Sequence, residues 1–192
     1  MKKTRFLVIM ATLAIMAGCK DQQKTADNVP TTDTTSVKET YLTAIERFMT
    51  DSIGSQYAQG DVCIPFLSIV DVDESDTDDI RVWGDFWVDN YLVSGDTLKN
   101  VSGGSHPGLM HVKQKADGFE VISFDAVGDG SAYIPTAKKI FGERFDSLQT
   151  VASNKEKREE VRAKAIAEFV KRNDLKVTMY QDFGWDAVKI DL

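Results

Sequence analysis

Apolar residues in the first part of the folding segment recur at spacings of three and four: Tyr41, Leu42, Ile45, Phe48, Met49 and Ile53. That spacing places them on one stripe of an α-helix, facing a core. Ser36-Val37-Lys38-Glu39 matches a capping box, in which Ser accepts from the backbone three residues on and Glu reaches back. The pattern predicts a helix opening there and stopping near Gly54.

The period then changes to two. Val62 to Val72 is rich in β-branched and apolar residues and reads as a strand. Pro65 cannot donate to a ladder, so this strand lies at a sheet edge or bends there. Arg81 to Val93 alternates most clearly: Val82, Phe86, Val88 and Leu92 share one face, while Trp83, Asp85, Trp87, Asp89 and Tyr91 share the other. The Ser94-Gly95-Asp96 turn closes that strand. Leu98 to Val101 and Leu109 to Lys115 are read as flanking a Gly-rich loop, Ser102 to Gly108, and Asp117-Gly118 marks a hairpin into Phe119 to Val127. These segments predict an antiparallel meander of about four strands.

Helical spacing returns after Ile134-Pro135, with a short helix reaching Leu148 and Gly142 weakening its middle. Ser153-Asn154-Lys155-Glu156 matches a second capping box, followed by a stripe of Val161, Ala165, Ile166, Phe169 and Val170. Pairs such as Glu160 with Lys164 and Glu168 with Arg172 make its other face a solvated one. The end of the chain, Val177 to Tyr180 with Phe183 and Trp185, is apolar enough to be expected to pack back onto the body. The fold class predicted is α+β: an N-terminal helix packed on a bent antiparallel sheet, with C-terminal helices, in one domain over residues 37–192.

Upstream the pattern is of another kind. Lys2, Lys3 and Arg5 precede an uncharged, mostly apolar run from Phe6 to Ala17, which is shorter than the roughly 20 residues a membrane-spanning helix needs. It ends in Met16-Ala17-Gly18-Cys19, which resembles a bacterial lipobox, with Met where Leu is commoner. The resemblance implies removal of residues 1–18 and a diacylglycerol thioether on Cys19, with the freed amine commonly acylated as well. Two or more acyl chains, at about 0.8 kcal/mol per buried CH2, hold a protein on a bilayer. The expected location is therefore the bacterial cell envelope, on the periplasmic face or the cell surface, with the lipid bilayer as a partner through acylated Cys19. Asp21 after Lys20 bears on sorting, in opposite senses in different bacterial groups. Residues 19–36 form a polar tether, whose flexible chain spans roughly 23 Å on average and about 58 Å at full stretch.

The 192 residues carry a formal charge of −7, and loss of the three cationic residues before Phe6 takes it to −10. Such a chain repels nucleic acid and anionic headgroups alike. Of the two cysteines, Cys63 is left without an intrachain partner once Cys19 is lipidated, and its place between Val62 and Ile64 suits a small buried hydrophobe.

Few residues assemble into a chemical motif. Asp71, Asp73, Asp76, Asp78 and Asp79 crowd one turn, yet no Gly stands sixth and no Glu twelfth as a calcium-binding loop needs, so a solvated acidic turn is expected. His106 and His111 fall on opposite faces of a strand and lack metal-site companions. The Gly-rich segment lacks the Lys-Ser/Thr end of a phosphate cradle, and no nucleophile elbow of the Gly-x-Ser-x-Gly type occurs. No metal or cofactor is predicted. What remains is the face bearing Trp83, Asp85, Trp87, Asp89 and Tyr91, because a carboxylate among aromatics in a cavity can be tuned to act as an acid or base. The bland alternative puts the aromatics against helices and the carboxylates at a wet rim.

Element order, and the segment from Gly103 to Gly142 that includes HPGLMHVKQKADGFEVISFDAVGDGSAYIPTAKKIFG, resembles nuclear transport factor 2-like (cystatin-like) domains of bacterial lipoproteins over about residues 37–150. The resemblance implies a cone-shaped fold with a pocket between the helices and the concave sheet face. It implies no single activity, since that fold hosts enzymes, binders and scaffolds. The function expected is a tethered, non-catalytic domain binding a small ligand or protein. The alternative is a pocket enzyme of isomerase or dehydratase type, with Asp85 or Asp89 as general base and Tyr57 or Tyr91 as hydrogen-bond donor.

Overall fold

The computed structural model describes residues 40–192. The expected signal segment, Cys19, the expected tether and the Ser36–Glu39 capping-box match lie outside the described residues. The first helix, α1 (Tyr41–Phe48), is capped by Thr40, whose hydroxyl accepts from the Thr43 amide at 3.3 Å. It continues through one wide turn, Met49–Ile53, and one tight turn, Gly54–Gln56. Ala44, Ile45 and Met49 are buried and Tyr41, Phe48 and Ile53 half-buried, as the stripe predicts, while Leu42 faces outward.

Four strands make the predicted antiparallel meander: β1 (Val62–Asp73), β2 (Ile80–Ser94), β3 (Thr97–Lys115) and β4 (Gly118–Ala126). The sheet is nevertheless mixed and has six strands, because β5 (Met179–Gln181) pairs parallel with the start of β3 and β6 (Val188–Lys189) pairs with β5. β1 is an edge strand, which is where Pro65 is tolerated.

The Gly-rich segment is not a loop. β3 runs through it for 19 residues, paired with β2 from Ile80↔Val112 to Ser94↔Thr97 with a single irregularity beside Asn90. The glycines serve close approach: a Cβ on Gly104 would lie 2.3 Å from the Tyr57 hydroxyl, which crosses the sheet there to meet His106 Nε2 at 2.9 Å. A string of small residues thus lets a continuous strand pass beneath a large side chain.

Both sheet faces are covered. One carries Val82, Phe86, Val88, Met110 and Val112 against α1. Leu92 was expected among them but is 45% exposed, because the chain that covers this face leaves it at Gly60 and Asp61, alongside Tyr91. The opposite face meets α2 (Tyr133–Phe141), α3 (Phe145–Ser153) and α4 (Lys155–Arg172). α2 and α3 are two helices rather than one weakened helix, since Gly142 adopts φ +54°, a left-handed conformation that ends α2. Asn154, not Ser153, caps α4, accepting from the Lys157 amide at 3.0 Å. Along α4 the ion pairs are Lys157–Glu160 and Lys164–Glu168, while Arg172 reaches Glu46 on α1 instead of Glu168.

The tail corrects the sequence in part. Val177, Tyr180 and Ile190 are buried, but Phe183 and Trp185 are 91% and 72% exposed. They sit in the turn between β5 and β6, which projects them away from the sheet, and Trp185 N donates to Asp182 O at 3.1 Å.

Candidate functional site

The alternation of β2 carries Trp83, Asp85, Trp87, Asp89 and Tyr91 to the face under the C-terminal helices. There they meet cations rather than water. Trp83 is buried, donates from Nε1 to the Ile140 carbonyl at 3.0 Å, and has the Arg144 guanidinium 4.1 Å above its ring centroid. Asp85, also buried, accepts from Ser105 Oγ at 2.5 Å and lies 3.9 Å from Arg158. Arg158 stacks 3.4 Å from the centroid of Trp87, a partly exposed cation–π contact of a kind that contributes about 0.5–2 kcal/mol.

Asp89 and Tyr91 converge: the Tyr91 hydroxyl donates to Asp89 Oδ2 at 3.3 Å. The space beside them is filled by Arg162, which donates to Tyr91 at 3.0 Å, lies 3.5 Å from Asp89 and forks onto both carboxylate oxygens of Asp182. A guanidinium presents two parallel donors to a carboxylate, a match that Lys cannot make. Burial alone would lower Arg162, but Asp182, Tyr91 and Asp89 together hold it above its ordinary range. Burial raises Tyr91, as does the charge of Asp89. Burial likewise raises Asp89, against the opposing pull of Arg162.

That balance fixes a pH dependence. Between the ordinary carboxylate value of about 4 and the raised value of Asp89, the folded chain keeps a proton that the unfolded chain has released. Acidification through that window therefore favours the folded state at this residue. The unfolding free energy of the wild type minus that of Asp89→Asn is expected to rise as pH falls from about 7 towards about 4. Urea titrations of both proteins across that range provide the check, and a flat or falling difference would show that Arg162 outweighs burial.

The remaining sequence candidates are paired elsewhere. Tyr57 binds His106, whose imidazole burial holds below its usual range, on the α1 side of the sheet. His111 lies on the other face with Asp79, Nδ1 to Oδ1 at 2.7 Å. In the acidic turn Asp71 meets Arg144, Asp73 meets Arg81 and Asp78 meets Lys113, so each has a cation already. No group of three potential metal ligands occurs among the described residues. Cys63 lies against Gly54 and is half-buried, and burial pushes its thiol up to about 11, making it a poor nucleophile.

Sequence reading missed Ser105, Arg158, Arg162 and Asp182. The two arginines stand four apart on α4, and each falls near the apolar stripe rather than opposite it. An Arg so placed is the one available sign of a carboxylate beneath.

It also missed a half-open cleft of about 580 Å³ between the start of α4 and the β5–β6 hairpin. Lys155, Glu159, Tyr180, Asp182, Trp185 and Asp186 line it. Asp182 therefore stands between the buried Arg162 and the cleft. Compared with known proteins, the chain matches no family model, no curated protein and no solved structure.

Proposed function

We propose that this chain is a lipid-anchored extracytoplasmic domain of the nuclear transport factor 2-like kind that binds a ligand without transforming it. The observation that carries the binding half is the cleft beside α4, whose 580 Å³ falls within the range of small-ligand and side-chain pockets. Its walls hold carboxylates and an exposed Trp, groups that bind without any acid–base partner being assembled. In this reading the aromatic and acidic face of β2 is the support beneath the cleft, with Arg158 and Arg162 joining α4 to the sheet.

The enzyme alternative has one observation in its favour, the Asp89–Tyr91 contact. A general base must reach its substrate's proton, and here Arg162 occupies the approach. Asp85 bonds Ser105 rather than a Tyr. The two readings separate in an NMR titration with a fragment library: shifts gathered on Glu159, Trp185 and Asp186 support binding at the cleft. Shifts gathered on Asp85, Asp89 and Tyr91 would move the site to β2 and revive the enzyme.

The anchoring half rests on the lipobox-like Met16 to Cys19 and agrees with the absence, among the described residues, of any helix long and apolar enough to cross a membrane. Cys19→Ala is expected to abolish incorporation of labelled fatty acid completely, leaving a released protein or an unprocessed precursor. Labelling that survives the substitution would end the lipoprotein reading.

A further inference from the structure

We infer that the cleft between α4 and the β5–β6 hairpin takes a basic peptide segment, with one Lys or Arg side chain entering between Glu159, Asp186 and the ring of Trp185. This names the ligand class for the binding reading above and rests on it.

Charge is the first ground. Three carboxylates, Glu159, Asp182 and Asp186, line the cleft against the single cation of Lys155. Asp182 is taken by Arg162, but Glu159 and Asp186 join none of the ion pairs among the described residues. They contrast with the acidic turn, where Asp71, Asp73 and Asp78 each have a cation. Lys155 and the neighbouring Arg158 offset part of this charge, and the cleft stays acidic on balance, so that it draws in a further cation and its field is strengthened by the low-dielectric walls.

The second ground is Trp185. Its backbone is held at both ends of the turn, the amide on Asp182 O at 3.1 Å and the carbonyl on Gln181 Nε2 at 2.8 Å, yet its ring is 72% exposed. An apolar side chain this large on a fixed turn presents a face without covering anything. Trp is the strongest partner for an ammonium or guanidinium over a ring, and the aliphatic stem of Lys or Arg also packs on it.

The third ground selects a peptide over a free amine. β6 is the outermost strand on its side of the sheet, and Val188, which lies on it, lines the cleft and is 49% exposed. An extended chain alongside β6 gains main-chain hydrogen bonds while alternate side chains point into the cleft. Phe183, 91% exposed in the same turn, extends the apolar contact beyond the cleft for the residues that follow.

The test uses the blocked pentapeptide acetyl-Ser-Lys-Val-Lys-Ser-amide, its Nε-acetyl-lysine form, its Glu-for-Lys form, and spermidine. Each is titrated into the folded domain while the indole N–H resonance of Trp185, identified with Trp185→Phe, is followed. The Lys peptide is expected to move that resonance saturably and to bind about tenfold or more tightly than the acetylated form, a difference of about 1.4 kcal/mol. The double variant Glu159→Gln/Asp186→Asn, at exposed positions that leave the fold intact, should weaken it by a similar factor. Raising salt from about 50 to about 500 mM should weaken it as well.

Equal or tighter binding of the acetylated or Glu peptide would overturn the cation and leave a binding cleft standing. Spermidine binding as tightly as the Lys peptide would overturn the role given to β6. A Trp185 resonance unmoved by any of these probes would overturn this inference alone. Failure of the fragment library to shift any cleft residue would remove the binding reading beneath it.

Discussion

Replacing Arg162 with Met is expected to lower the stability of the domain by about 3–5 kcal/mol, as breaking a buried ion pair from one side does. The guanidinium is 8% exposed at its side chain and answers Asp89, Tyr91 and Asp182 at once. Methionine fills a similar volume, so packing is nearly conserved and the loss measures the uncompensated carboxylates. Asp89 suffers most because its own side chain is only 18% exposed, whereas Asp182 at 36% can turn towards water. Arg162→Lys should fall between the two, keeping a charge but not the fork. Adding Asp89→Leu to Arg162→Met should restore much of the loss, since a buried pair replaced as a unit by apolar residues is often close to neutral. Urea unfolding followed by circular dichroism reads all four proteins. A loss under about 1 kcal/mol for Arg162→Met would show that the network is incidental to the fold.

Those pairings explain why the candidate site was only half legible in the sequence. Strict alternation from Arg81 to Val93 was enough to sort Val82, Phe86 and Val88 from Trp83, Asp85, Trp87, Asp89 and Tyr91, because period two is imposed by the backbone itself. What covers the second face depends on residues some 70 positions away, at Arg158 and Arg162. Apart from the place of the two arginines beside the apolar stripe, local pattern carries no information about that docking, and most charges in a helix of alternating charge look solvated until their partners are known. Gly103, Gly104 and Gly108 failed for a related reason. Their composition matches a turn, and only neighbours distant in sequence, Asp89 at Gly103, Tyr57 at Gly104 and Phe124 at Gly108, turn the lack of a side chain into a packing requirement. The tail misled in the opposite direction: Phe183 and Trp185 are as apolar as Tyr180, but they lie in the turn after β5, where the chain leaves the face that Tyr180 occupies.

The same distinction between position and burial decides the second large effect. Phe48 and Phe86 both lie where the sequence places core aromatics, and their rings both meet Phe124 edge-on, at 6.2 and 5.9 Å. Phe48 sits at the end of α1 and is half-buried, while Phe86 is 0% exposed in the centre of β2. Removing a fully buried Phe forfeits its transfer free energy and leaves a cavity that the surrounding strands cannot close, so Phe86→Ala should cost about 3–5 kcal/mol. Collapse is especially restricted here, because Gly84 on the same strand is so close that a Cβ would stand 2.9 Å from the Phe86 ring, and the backbone already abuts it. Phe48→Ala keeps part of its ring in water to begin with, and solvent can enter the space it vacates; about 1–3 kcal/mol is expected, near the range for partial apolar burial. Denaturant midpoints at unchanged slope would measure both. Equal losses at the two positions would mean that α1 is held as tightly as the centre of the sheet, and a smaller loss at Phe86 than at Phe48 would contradict the placement of the core between β2 and α1.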